Sequence, residues 1–174
     1  MIAIGDQLPA FSLKGVDGEY HTNFDYADRY AVLVLFTNNT CEVSKAYRQR
    51  VLTLEKRYEE DNLGVIRVNP SGAENNEESF EEMQRLAKEI GMEHLYVHDP
   101  EQELAKMCGA TVLPEAFLFN SKRELVYRGA IDDCWENEHM VTMVYLEEAI
   151  EAALDGIEVD YPEIEAYGCK IVYK

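Results

Sequence analysis

Cys41 is the residue of this 174-residue chain best placed for chemistry. It lies five residues past Phe36, the end of the apolar run Ala31-Val32-Leu33-Val34-Leu35-Phe36, and it opens an amphipathic segment. A cysteine at a strand-to-helix turn meets the partial positive charge of a helix N-terminus. That field favours the thiolate, which is the nucleophilic form. Ser44 follows one helical turn later in Cys41-Glu42-Val43-Ser44. A serine there can donate a hydrogen bond to the thiolate but cannot close a disulfide. Such a site can attack and form a mixed disulfide or a sulfenic acid, and then needs another thiol to resolve it. Far downstream, Leu113-Pro114-Glu115 leads into a second apolar run, Ala116–Phe119.

Regular elements must hold these residues in place. The segment from about 41 to 60 carries Val43, Tyr47, Val51, Leu54 and Tyr58 at spacings of 4, 4, 3 and 4, one apolar face of a helix. Pro9–Leu13 and Glu19–His21 flank the turn Gly15-Val16-Asp17-Gly18 and predict an N-terminal hairpin. Strands are expected at 31–36 and 64–68, followed by a polar loop over 69–76. Ser79 and Glu82 form a capping box for a helix with Phe80, Met83, Leu86, Ala87 and Ile90 inward, closed by Gly91. A short strand at Leu95–Val97 and a helix near 101–108 come next. Ala116–Phe119 and Leu125–Ile131 flank Asn120-Ser121-Lys122-Arg123 as an antiparallel hairpin. A last helix over about 139–155 turns Met143, Leu146, Ile150 and Leu154 inward, and an irregular tail containing Pro162 ends the chain. This alternation predicts one α/β domain over 1–174, a sandwich with a central mixed β-sheet flanked by helices.

Composition narrows the function classes. With 47% hydrophobic and 29% charged residues the chain reads as globular. Its formal charge of −18 repels phosphate backbones and anionic lipid surfaces, so neither nucleic acid nor membrane is an expected partner. The N-terminus has no basic, apolar leader pattern, and no stretch reaches the roughly 20 apolar residues of a membrane span, which predicts a cytosolic protein. Cys41, Cys108, Cys134 and Cys169 are too scattered for a disulfide scaffold; in a reducing cytosol any disulfide among them is transient and functional. His21, His94, His98 and His139 share no metal-ligand spacing, and no phosphate-binding glycine loop is present, so no metal or cofactor is expected.

Several segments resemble one family. Gly5-Asp6-Gln7-Leu8-Pro9-Ala10-Phe11-Ser12-Leu13 is similar to the opening of the alkyl hydroperoxide reductase/thiol-specific antioxidant (redoxin) branch of the thioredoxin-like proteins. Phe36-Thr37-Asn38-Asn39-Thr40-Cys41-Glu42-Val43-Ser44-Lys45-Ala46-Tyr47 resembles a bacterial subgroup of that branch, as do Tyr127–Asp133 and Gly168-Cys169-Lys170-Ile171. The resemblance implies a thioredoxin-like fold in which Pro114 is cis and its loop faces the Cys41 sulfur. Three positions depart from the subgroup: Asn38 stands where it has its first cysteine, Thr40 where it has histidine, and Glu42 where it has proline. The carboxylate of Glu42 opposes a lowered thiol pKa.

Within that fold Cys134 and Cys169 are the candidate resolving thiols. Cys134 follows a hairpin strand expected to return to the active-site edge, and Cys169 sits in the subgroup's recurrent Gly-Cys tail. Cys108, at the end of a predicted helix, reads as a buried structural cysteine. Arg128 is expected near the groove, where the resemblance implies an arginine that steadies a thiolate or peroxide, and Lys45 and Arg48 are placed to offset Glu42. The expected function is thiol-disulfide exchange or thiol-dependent peroxide reduction through Cys41, Ser44, Pro114 and Arg128. The partner is a thiol or disulfide protein or small molecule, or a peroxide. The alternative is a binding module that has lost its cysteine pair and uses the same groove to hold a peptide.

Overall fold

The computed structural model describes residues 1–72, 76–92 and 96–174. The expected Leu95 end of one strand, His94 and part of the polar loop therefore lie outside the described residues. The chain opens with a hairpin of β1 (Ser12–Gly15) and β2 (Tyr20–Thr22), followed by β3 (Ala31–Phe36), α1 (Glu42–Arg57) and β4 (Leu63–Asn69). Then come α2 (Phe80–Ile90), β5 (Tyr96–His98), α3 (Glu103–Cys108), β6 (Val112–Leu113), β7 (Glu115–Phe119) and β8 (Leu125–Gly129). The chain ends with α4 (Tyr145–Asp155), β9 (Glu163–Ile164) and β10 (Cys169–Lys170).

Eight strands form one mixed sheet in the order β2-β1-β5-β4-β3-β7-β8-β9, and β10 pairs separately with β6. The centre of the sheet is β3, parallel to β4 and antiparallel to β7. All six residues of β3 are buried because both faces of the strand are covered. Its alternation splits two cores. Leu33 and Leu35 join Val43, Tyr47, Val51 and Leu54 of α1 with Leu146, Ala149 and Ile150 of α4. Val32, Val34 and Phe36 join Leu104, Ala105 and Cys108 of α3 on the opposite face. Each large aliphatic side chain buried this way contributes about 1.5–3 kcal/mol. At the far edge α2 packs Met83, Leu86 and Ala87 against Tyr96 and Val16.

Three expectations change. The last helix starts at Tyr145 rather than near 139. Asn137 caps a short turn at Glu138–Met140, and Asp133 then takes the Thr142 N–H, which holds the chain extended up to Val144. Ser79 does cap α2 by accepting from the Glu82 N–H, but the Glu82 carboxylate turns to Arg85 instead of reciprocating. The tail is also more regular than its sequence suggests, since β9 runs parallel to β8 and β10 runs antiparallel to β6.

Candidate active site

Cys41 is the N-cap of α1, and its side chain makes no capping bond to the helix. The Cys41 carbonyl accepts the first helical hydrogen bond from the Lys45 N–H at 2.9 Å. The sulfur is bonded to Cys169: Sγ–Sγ is 2.05 Å and the Cα atoms are 6.1 Å apart, across 128 residues of sequence. Cys41 Sγ also lies 3.5 Å from the Leu113 carbonyl oxygen, a contact without a hydrogen bond because the disulfide carries no proton. Leu113-Pro114 is a cis peptide bond. The strand pairing that brings Cys169 opposite Leu113 therefore places both sulfurs and the proline turn in one cluster.

The loop that presents Cys41 is held by groups far away in sequence. The buried Glu78 carboxylate accepts from Asn39 N–H at 2.7 Å, Thr40 N–H at 3.0 Å, Thr40 Oγ1 at 2.5 Å and Asn69 Nδ2 at 3.1 Å. Asn38 Oδ1 accepts from the Cys41 N–H at 3.0 Å. Arg48 reaches back to the carbonyls of Asn38 and Asn39, and its burial pulls the guanidinium pKa down from its ordinary value. Arg48 is thus spent on the loop backbone. Glu42 is exposed, so water and salt weaken its repulsion of the thiolate.

Ser44 is 2% exposed, and its hydroxyl has no hydrogen-bond partner. It opens on a small cavity of about 10 Å3 that Thr37, Asn38, Tyr47, Arg48 and Pro114 also line. That is close to the smallest space that admits a water molecule. The hydroxyl sits one turn along α1 from Cys41, with its donor uncommitted while the sulfur is engaged with Cys169.

Residues 4–128 match the AhpC/TSA family. The chain belongs to that family. No curated protein matches it. A hypothetical protein of Sinorhizobium meliloti 1021 superposes with a TM-score of 0.92 at 30% identity, covering 100% of this chain and 96% of that one. An uncharacterized conserved protein of Geobacillus kaustophilus gives a TM-score of 0.92 at 29% identity, covering 100% and 94%. A thiol:disulfide interchange protein of the thioredoxin family from Chlorobium tepidum TLS gives 0.68 at 13% identity, covering 88% and 99%. The fold is therefore the thioredoxin-like sandwich of thiol-disulfide oxidoreductases, and among the described residues no helix is long and apolar enough to cross a membrane.

Not every expected residue of this AhpC/TSA-family site converges on Cys41. Arg128 lies opposite Phe117 on β7, with its guanidinium 4.9 Å from the centre of that ring. Phe117 belongs to the α3 core, whereas Cys41 belongs to the α1 core. Arg128 donates to the carbonyls of Ile2 and Gly109 at 3.2 and 3.1 Å. The arginine thus gives hydrogen bonds to backbone carbonyls rather than to the sulfur. Strand parity explains it, because Tyr127 takes the face toward α1 and Arg128 the opposite one.

Cys134 is a free thiol, although the hairpin direction pointed it toward Cys41. Its segment is pinned to the middle of α1. Arg50 donates to the Asp132 carboxylate at 2.9 Å and to the carbonyls of Cys134 and Trp135, each at 2.8 Å, and Tyr47 donates to Asp132 at 2.6 Å. Cys108 is also free and fully buried, and that burial pushes its thiol pKa up to about 12. Native oxidised protein at pH 8 should accordingly take up iodoacetamide at Cys134 alone. Reduction should add Cys41 and Cys169, and only unfolding should expose Cys108. Peptide mass mapping reads all four sites, and a native Cys108 adduct would contradict the assignment. Among the described residues no group of three or more His, Cys, Asp or Glu side chains is arranged to hold a metal ion.

Sequence reasoning missed Glu78 and the pairing of β10 with β6. The only local sign of Glu78 is an acidic pair, Glu77-Glu78, before a helix, which looks like ordinary first-turn charge. The Gly-Cys step in the tail was the available signal for β10.

Proposed function

We propose that this protein is a thiol-disulfide oxidoreductase whose redox couple is Cys41 and Cys169. One observation carries the reading: a cysteine at the N-cap of α1 is bonded to a tail cysteine seated against the cis-proline turn. In the reduced state the N-terminus of α1 stabilises a Cys41 thiolate, and the Ser44 hydroxyl one turn away is free to donate to it. The thiolate attacks one sulfur of a substrate disulfide, and the other substrate sulfur leaves as a thiolate. Cys169, as thiolate, then attacks Cys41 Sγ and expels the remaining substrate sulfur. The substrate gains two electrons and two protons, the enzyme closes its own disulfide, and an external dithiol reopens it.

Cys169 thus takes the resolving role that neither Asn38 nor Ser44 can fill. This supports chemistry over the binding-only alternative, because a groove that merely holds a peptide has no need of a second cysteine at the sulfur. Disulfides are favoured over peroxides as substrates because Arg128, which lines the cleft beside the tail, gives both its terminal nitrogens to backbone carbonyls. A cytosolic setting suits a disulfide that opens and closes in every cycle.

The test is a single turnover. Fully reduced protein mixed with oxidised glutathione should yield two glutathione thiols per Cys41–Cys169 disulfide, as found by non-reducing peptide mapping. Substrate thiols released without that disulfide would discard Cys169 as the resolving residue. No thiol release at all would favour the binding module. Hydrogen peroxide in a parallel reaction tests the peroxide route, which ends in the same disulfide with loss of water.

A further inference from the structure

The tail that carries Cys169 lies in a groove that reads an extended backbone. Cys169 pairs with Leu113 and Lys170 with Val112, and the Ile171 N–H donates to the Thr111 carbonyl at 3.0 Å. Beyond that point Gln102 takes over with both ends of its amide. Its Nε2 donates to the Val172 carbonyl and its Oε1 accepts from the Lys174 N–H, each at 2.9 Å. Gln102 is 2% exposed and has a left-handed backbone (φ 62°), and a second bond from Nε2 to the Pro70 carbonyl at 3.1 Å fixes its orientation. A buried, braced amide whose two functions match one extended strand is a receptor for backbone, and it does not depend on which side chains that strand carries.

At one position the side chain does matter. A Cβ on Gly168 would fall 2.1 Å from the Leu113 carbonyl oxygen and 2.7 Å from its carbon. Those atoms are backbone at the cis-proline turn, where β6 leads into β7, so they cannot step aside as a flexible side chain would. Only glycine lets the next residue, a cysteine, come up to Cys41. On each side of the tail runs an open cleft, of about 500 and 540 Å3, and both clefts share Lys170, Ile171 and Tyr173 as a wall. The tail is therefore a ridge that divides one trough.

We propose that this trough is the substrate site and that the tail is its resident occupant. The substrate is a polypeptide disulfide in an extended segment whose attacked cysteine directly follows a glycine. The Thr111 carbonyl and the Gln102 amide grip its backbone over the residues after the cysteine. The proposal rests on the redox function given above. Substrate and tail take turns: the tail leaves when Cys169 is a thiol, the substrate strand is attacked in its place, and the returning tail displaces that strand as Cys169 takes over the Cys41 sulfur.

The test uses the full-length Cys134→Ser, Cys169→Ser protein, reduced, so that Cys41 is the reacting thiol and the reaction stops at the first mixed disulfide. The probes are the peptide Tyr-Gly-Cys-Lys-Ile-Val-Tyr-Lys and its Tyr-Ala-Cys counterpart, each joined through cysteine to thionitrobenzoate. Cys41 attacks the peptide sulfur and releases the coloured thionitrobenzoate anion. The glycine peptide should react about tenfold faster than the alanine peptide or more, the scale of one misplaced methyl group in a fitted site. With Gln102→Leu added to that protein, the glycine peptide should slow to the rate of a version lacking its last three residues. Equal rates for the glycine and alanine peptides on the Gln102 protein would overturn the proposal even if the Gln102 variant failed to fold. A Cys41 that reacts with a small aromatic disulfide but does not distinguish the peptides removes this inference alone. A Cys41 inert to both removes the redox function and this inference with it.

Discussion

Cys169→Ser should turn the protein from a catalyst into a trap. The first attack by Cys41 needs only the α1 N-terminus and the groove, both of which the variant keeps. What it loses is the thiol that releases the product. In the oxidised structure Cys169 is held opposite Leu113, with its Cα 6.1 Å from that of Cys41. A thiol on such a tail works at an effective concentration on the order of millimolar or above. Micromolar external thiol in its place should then resolve the intermediate about 1,000-fold more slowly. Turnover of a disulfide substrate should collapse by that factor while a stable Cys41–substrate adduct accumulates on non-reducing gels. Millimolar external thiol should restore part of the rate. Undiminished turnover without added thiol would remove Cys169 from the mechanism. Cys41→Ser, by contrast, should form no adduct at all.

The second large effect is expected at Glu78, which contributes no chemistry. Its carboxylate collects two backbone N–H groups, one hydroxyl and one amide within the buried turn before α1. Glu78→Ala strands these donors where water reaches them poorly. Each buried unsatisfied donor costs about 1–3 kcal/mol, and partial relaxation of the loop limits the sum, so the expected loss is about 3–5 kcal/mol in urea unfolding. Glu78→Gln can still accept at one oxygen but turns an amide toward donors, and should fall between. The loss should be accompanied by faster alkylation of Cys41 in the reduced protein, because the turn that buries it loosens. A Glu78→Ala protein within about 1 kcal/mol of wild type would show that solvent or neighbouring groups replace the carboxylate.

Much of the scaffold could be read in the sequence because its signals are local. The run at 31–36 is strand β3 with the same bounds, since unbroken burial on both faces demands unbroken apolar sequence. The stripe Val43, Tyr47, Val51, Leu54 packs as its spacing requires. Cys41 and Pro114 were visible because a strand end and a strand start mark them. The rest depends on partners that sequence does not display. Strands β9 and β10 are two residues each, too short for any periodicity. Glu78 and Gln102 act on residues 38–39 and 70–72 positions away in the chain. The face that Arg128 takes is set by its pairing with Phe117 rather than by anything in its own neighbourhood. Met143 fits the helical spacing of Leu146 and Ile150 yet lies before the helix, because Asp133 captures the chain there first.

The 128-residue span between the two bonded cysteines ties redox state to folding through a closed thermodynamic cycle. Cross-linking so long a stretch of the unfolded chain lowers its entropy, by an amount worth about 4–5 kcal/mol in the loop-closure picture. Around the cycle, the free energy by which the bond stabilises the folded protein equals the free energy by which folding favours the bond. A mutation that weakens the folded oxidised and reduced forms equally leaves the redox balance where it was, whereas one that weakens the oxidised form more makes the protein easier to reduce, and a partner that binds only the folded, oxidised form makes it harder. The stability gap between the two redox forms and the oxidising power are one quantity seen from two sides of this molecule, and a change confined to one form moves both.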